Sequence, residues 1–130
     1  MRNPLILTGA LVIALLVVAP AYAEVTVSVG GGTSNRDGSA TVSVTVTCDP
    51  GSRILEAHVS LSQDEGAVSG MGGLRNVRCN GRPHTYFATV RPYSGNFHAG
   101  TAYASPYVLV QNRATGQTES GGGFSEITLQ

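Results

Sequence analysis

TVSVTVTC, residues 41–48, alternates without interruption: Val42, Val44, Val46 and Cys48 fall on one side of an extended chain, and Thr and Ser fall on the other. β-branched residues at a period of two fit a pleated, half-buried surface, whereas a helix would scatter them around its circumference. The stretch reads as a strand with one face in a core, and its last inward position is a cysteine. The same alternation recurs on either side. Val25, Val27 and Val29 form a first strand, and Leu55, Ala57, Val59 and Leu61 the inward face of a third, with Glu56, His58, Ser60 and Ser62 toward water. Val77 and Cys79 suggest a short fourth strand, Tyr86, Ala88 and Val90 a fifth, and Ala102, Ala104, Val108 and Val110 a sixth. Phe124, Ile127 and Leu129 suggest a seventh, interrupted by the Gly121-Gly122-Gly123 run.

Turn formers separate these runs at residues 30–38, 49–51, 64–73, 80–81, 92–95 and 112–116. Asn80-Gly81 is the pair that a type I′ hairpin wants, because both residues tolerate positive φ. Short strands at this spacing, with no helical periodicity after residue 23, predict an all-β fold. The expected form is a seven-stranded antiparallel immunoglobulin-like β-sandwich. Cys48 and Cys79 lie closer in sequence than the cysteines of an antibody domain, and there is no tryptophan to pack on them.

Arg2, the apolar run LVIALLVVA at residues 11–19, Pro20 and then Ala21-Tyr22-Ala23 have the order of a cleavable export signal. The apolar run is shorter than a membrane span requires. The expected organisation is a signal peptide over residues 1–23 and a single β-sandwich domain over residues 24–130, secreted to the extracellular space. In an exported chain, two cysteines most economically form one disulfide, Cys48 to Cys79. Without Arg2 the domain has seven arginines against eight acids, a net charge of −1, and no lysine at all. Such balance argues against nucleic acid and against an anionic membrane surface as partners. The all-arginine basic set, with abundant Gly, Ala and Val, reads as the codon bias of a GC-rich genome.

The window VRCNGRPHTYFATVRPYSGNFHAG, residues 77–100, raises the question of a chemical site, because it gathers Cys79, His84 and His98. A tetrahedral zinc site draws on close-set ligand pairs, whereas Cys48 and Cys79 are 31 residues apart and favour oxidation. No G-x-S-x-G elbow accompanies the serines, and the adjacent Asp64 and Glu65 point apart in an extended chain. The reading is a non-enzymatic protein with no metal and no cofactor. Its partner is an extracellular protein or a small molecule.

The frame Thr45-Val46-Thr47-Cys48, then Cys79-Asn80-Gly81 with His84, then Phe97-His98-Ala99-Gly100-Thr101-Ala102 resembles small secreted actinobacterial β-sandwich proteins of a family of unknown function. That resemblance implies one disulfide and no catalytic residues. Val46-Thr47-Cys48-Asp49-Pro50-Gly51 is similar to a piece of the subtilisin-inhibitor family, which implies a secreted protease inhibitor as one alternative. Enediyne-binding apoproteins of the neocarzinostatin type are similar in size and sandwich class, which implies a small-molecule carrier as another. Both families carry a second disulfide that this chain lacks.

If the strands run antiparallel, the long connections collect at one end, where binding function usually sits. That end is expected to present Asn35, Arg36, Asp37, Asp64, Glu65, Met71, Tyr93, Asn96, Phe97 and His98. Tyr93 and Phe97 are expected to be its exposed anchors.

Overall fold

A computed structural model describes residues 24–130, and the expected signal segment lies outside them. Eight strands form: β1 (Val25–Ser34), β2 (Ala40–Cys48), β3 (Ser52–Gln63), β4 (Val68–Gly73), β5 (His84–Pro92), β6 (Gly100–Asn112), β7 (Thr118–Gly122) and β8 (Ser125–Leu129). In β2 the alternation does what the sequence predicts: Ala40, Val42, Val44 and Val46 are fully buried, Cys48 is nearly so, and the residues between them are half-buried. Each inward valine contributes roughly 1.5–3 kcal/mol relative to leaving it exposed. Val59, Leu61, Ala88, Val90, Ala102, Ala104, Val108, Val110, Ile127 and Leu129 fill the same interior from the other strands.

The strands do not separate into two sheets, as the expected sandwich would. Pairing runs β1–β2–β5–β4–β3–β6, and β6 is joined back to β1 through β8. The result is one closed, barrel-like sheet. Strands β7 and β8 lie end to end along one edge of β6, so eight strands occupy seven positions. Nearly all pairings are antiparallel. The closing one is parallel, at Gly32 and Leu129, where Gln130 N donates to Gly32 O and Ser34 N to Gln130 O.

Closure depends on β4, which the sequence reading placed in a loop. Gly70 and Gly72 take its inward positions. A Cβ on Gly70 would lie 2.2 Å from Arg91 O, and one on Gly72 2.5 Å from Thr89 O. The backbone of β5 occupies the space that side chains would need, and only glycine lets β4 bridge β3 and β5. Conversely, Val77 and Cys79 belong to no strand. Residues 74–83 form a connection, and the expected type I′ hairpin is absent. Positive φ falls at Asn76 and Gly81, and Asn80 Oδ1 instead accepts a hydrogen bond from Arg82 N.

Two other expectations fail for local reasons. A register shift between Ile54 and Glu56 turns Leu55 outward, to 42% exposure. Near the end of the chain, the β8 ladder on β6 stops at Ala104–Ser125 and the β7 ladder starts at Tyr107–Gly122. Between them on β6 lie Ser105 and Pro106. Proline gives a ladder no N–H, and Ser105 Oγ instead donates to Gly123 O at 3.0 Å. Gly123 and Phe124 carry no ladder pairing, and Phe124 has the parity opposite to the inward Ile127 and Leu129, so it faces solvent rather than the core.

The Cys48–Cys79 disulfide is present, with its Cα atoms 4.7 Å apart. It ties the end of β2 to the 74–83 connection, and Gly81 N donates to Cys48 O alongside it. The loop it closes spans 31 residues. On chain-entropy grounds the Cys48→Ser/Cys79→Ser pair should therefore lose about 3–4 kcal/mol of unfolding free energy in urea titrations. A loss below about 1 kcal/mol would mean that the connection is held without the bridge.

Candidate functional site

The connections after β1, β3 and β5 do collect at one end, and the structure sorts the expected site residues there into different roles. Asn35 Nδ2 donates to Ser39 Oγ and Thr41 Oγ1. Asp37 Oδ1 accepts from both the amide and the hydroxyl of Ser39, at 2.9 and 2.6 Å. The Ser39 hydroxyl first, and then its amide, hold the Asp37 carboxyl below its ordinary range, with a smaller effect from Arg91 at 3.7 Å. Asn35, Asp37 and Ser39 order the β1–β2 connection, and Arg36, Asp37 and Asn96 are exposed beside this turn.

Phe97 is the clearest correction. It is 3% exposed and part of the core, with its amide donating to Gly38 O at 2.9 Å. It plugs the end of the barrel and cannot be an exposed anchor. Met71 lies not in a connection but within β4, exposed on the outer surface opposite Arg91.

His98 and Asp64 form an ion pair at the rim, Nε2 to Oδ2 at 2.9 Å, and His98 Nδ1 lies 2.9 Å from Ala99 O. Buried Gln63 braces the pair: its Nε2 donates to His98 O, and its Oε1 accepts from His98 N. Asp64 and Glu65 both adopt positive φ, near 55°, which costs non-glycine residues of order 1–3 kcal/mol each. The hydrogen bond to Asp64 first, then the Ala99 carbonyl, raise His98 above its ordinary value. His84 has a structural role, with Nε2 2.9 Å from Asn80 Oδ1 and its ring tilted against Tyr86. Among the described residues no group of three or more His, Cys, Asp or Glu could hold a metal ion, and no helix is long and apolar enough to cross a membrane.

The most distinctive surface lies beside this end, on the outside of the sheet over β3. Its floor is Ser60 and Ser62, flanked by Ser69 of β4 and Ser105 of β6. Ser62 sits opposite Ser69 on one side and opposite Tyr103 on the other, and Ser60 sits opposite Ser105. Tyr93 forms the β4-side wall, anchored by its amide donating to Ser69 O at 2.8 Å. Tyr103 and Phe124 form the opposite wall, stacked with centroids 5.5 Å apart and planes 14° apart. Tyr93 is 74% exposed, Phe124 72% and Tyr103 40%. The groove between the walls holds about 280 Å³, and no charged side chain lines it. Sequence reasoning found Tyr93 but missed Tyr103 and Phe124. Both were legible as outward positions, Tyr103 between Ala102 and Ala104 and Phe124 on the parity opposite to Ile127 and Leu129.

The two phenylalanines should behave oppositely in thermal denaturation. Phe97→Ala should cost about 3–5 kcal/mol, as truncation of a buried ring does, and Phe124→Ala less than about 1 kcal/mol. Equal losses would place Phe124 in the core. For His98, protonation is what its partners favour. Its pair therefore contributes stability in full below about pH 6.5 and loses it as pH rises through the raised folded value. The melting-temperature gap between wild type and His98→Gln should be larger at about pH 6 than at about pH 8.5. A gap that is equal at both would show that the pair adds nothing to the fold.

Comparison of the chain with protein-family models, with curated proteins and with solved structures finds no match in any of the three.

Proposed function

We propose that this chain is a secreted, non-enzymatic binding protein that holds its ligand in the groove over β3. The observation that carries the reading is the placement of Tyr93, Tyr103 and Phe124, exposed but fixed on strands or at strand ends, around one uncharged groove. Water gains nothing from three aromatic rings gathered in this way, and apolar surface grouped on a rigid scaffold is typical of interaction sites. The disulfide fits an oxidising compartment, in keeping with export. The scaffold reads as an immunoglobulin-like sandwich whose two halves, β1–β2–β5 and β3–β6–β7, have been joined by β4 on one side and by β8 on the other.

Catalysis has less support. The His98–Asp64 pair is spent on bracing a strained turn, and its imidazole already faces a carboxylate and a carbonyl. A carrier with an enclosed cleft also has less support, since the inward valines and leucines of the barrel fill one another's space. An inhibitor would need a protruding loop, and the longest connection, residues 74–83, is pinned by the disulfide and by Tyr86 Oη accepting from Arg78 N.

The test is a screen of wild type and the Tyr93→Ala/Phe124→Ala pair against panels of glycans, peptides and lipids. One ligand class should bind the wild type and be lost by the pair, with melting temperatures within about 3 °C of each other. Binding that survives in the pair but is lost on Asp64→Ala or Arg36→Ala would move the site to the barrel end. Turnover abolished by His98→Ala would make the protein an enzyme.

A further inference from the structure

Resting on that reading of the groove, we infer that its ligand is a neutral sugar chain, one or two pyranose rings of which lie over Ser60 and Ser62 between Tyr93 and the Tyr103–Phe124 stack. The chemistry of the lining selects this class. The walls are flat and aromatic, suited to the apolar C–H faces of a ring. The lining carries four serine hydroxyls: those of Ser60, Ser62 and Ser69 can donate and accept, and that of Ser105, whose proton goes to Gly123 O, can accept. An aliphatic ligand would cover those hydroxyls without replacing the hydrogen bonds they make to water, which is costly. A sugar answers both surfaces at once, with an apolar face for the rings and hydroxyls at its edges for the serines.

Charge narrows the class further. No acid or base lines the groove, so an anionic or cationic ligand would lose hydration there without gaining a partner. The contrast lies on the same sheet. A second groove, lined by Arg75, Arg91 and Phe87, carries two guanidinium groups and would take anions instead. Size points the same way. At about 280 Å³ the groove falls below the roughly 300–1,000 Å³ that encloses a drug-sized ligand. It is open to solvent, so it suits a short stretch of a longer chain that continues past its ends.

Affinity electrophoresis of residues 24–130 tests the inference, with gels containing amylose, laminarin, hydroxyethylcellulose or galactomannan as neutral probes. At least one polymer should retard the wild type. Tyr93→Ala and Phe124→Ala should each weaken that retardation about tenfold, and Ser62→Val should weaken it as well. Raising salt to about 0.5 M should leave it unchanged, because no ion pair is involved. If none of the neutral polymers retards the protein, yet 8-anilinonaphthalene-1-sulfonate binds the wild type and not the Tyr93→Ala/Phe124→Ala pair, the sugar assignment falls and the groove reading stands. If neither polymer nor dye distinguishes wild type from the pair, both fall. Salt-sensitive retention by heparin alone, lost on Arg75→Ala/Arg91→Ala, would overturn the inference in favour of the arginine groove.

Discussion

Pro106 sits within the longest strand and has no N–H to give, and the end of the chain answers by breaking into β7 and β8. The Ser105 hydroxyl takes up the carbonyl of Gly123, and the two residues opposite Ser105 and Pro106 leave the ladder. Phe124, on the outward parity, stacks on Tyr103 as one wall of the groove over β3. That parity is opposite to the one shared by Ile127 and Leu129, and the ladder keeps one register on both sides of the break.

The other wall depends on β4. Its inward glycines let the backbones of β4 and β5 approach until the sheet closes, with pairing at only Gly70–Pro92 and Met71–Arg91. Tyr93 follows directly and is fixed by its hydrogen bond to Ser69. The glycines of β4 on one side, and ordinary outward parity of Tyr103 and Phe124 on the other, thus place aromatic rings on either side of a serine-lined strip. The interior below is ordinary in comparison, a barrel filled by inward valines and closed at one end by Phe97.

This division explains what could be read from the chain alone. Wherever β-branched residues alternate, as in β2 and in the second half of β6, the strand, its buried face and the inward cysteine were legible, because period two leaves little choice of face. The disulfide followed from the number of cysteines. Val68 to Gly73 was not legible as a strand, since its inward positions carry no side chains and the reason lies in β5, far along the sequence. Closure was hidden for the same cause. Phe97 and Phe124 were misplaced in opposite directions: a loop position suggested exposure for one, and the other was grouped with Ile127 and Leu129 although it has the opposite parity. The gathering of the β1–β2, β3–β4 and β5–β6 connections was legible from antiparallel order, but which side chains there would be spent on internal hydrogen bonds was not. Tyr93 was recognisable as an outward aromatic, and the partners that make it one wall of a groove come from register alone.

The central claim is that this protein binds a short stretch of neutral sugar chain across β3, between Tyr93 and the Tyr103–Phe124 stack. Amide chemical-shift mapping of ¹⁵N-labelled protein during titration with maltohexaose or cellohexaose tests it most directly. Shifts concentrated at Ser60, Ser62, Ser69, Tyr93, Tyr103, Ser105 and Phe124 are what the account predicts. Shifts confined to the Asn35–Ser39 turn, to the His98–Asp64 rim or to the Arg75–Arg91 groove, or no shifts at any residue, would contradict it.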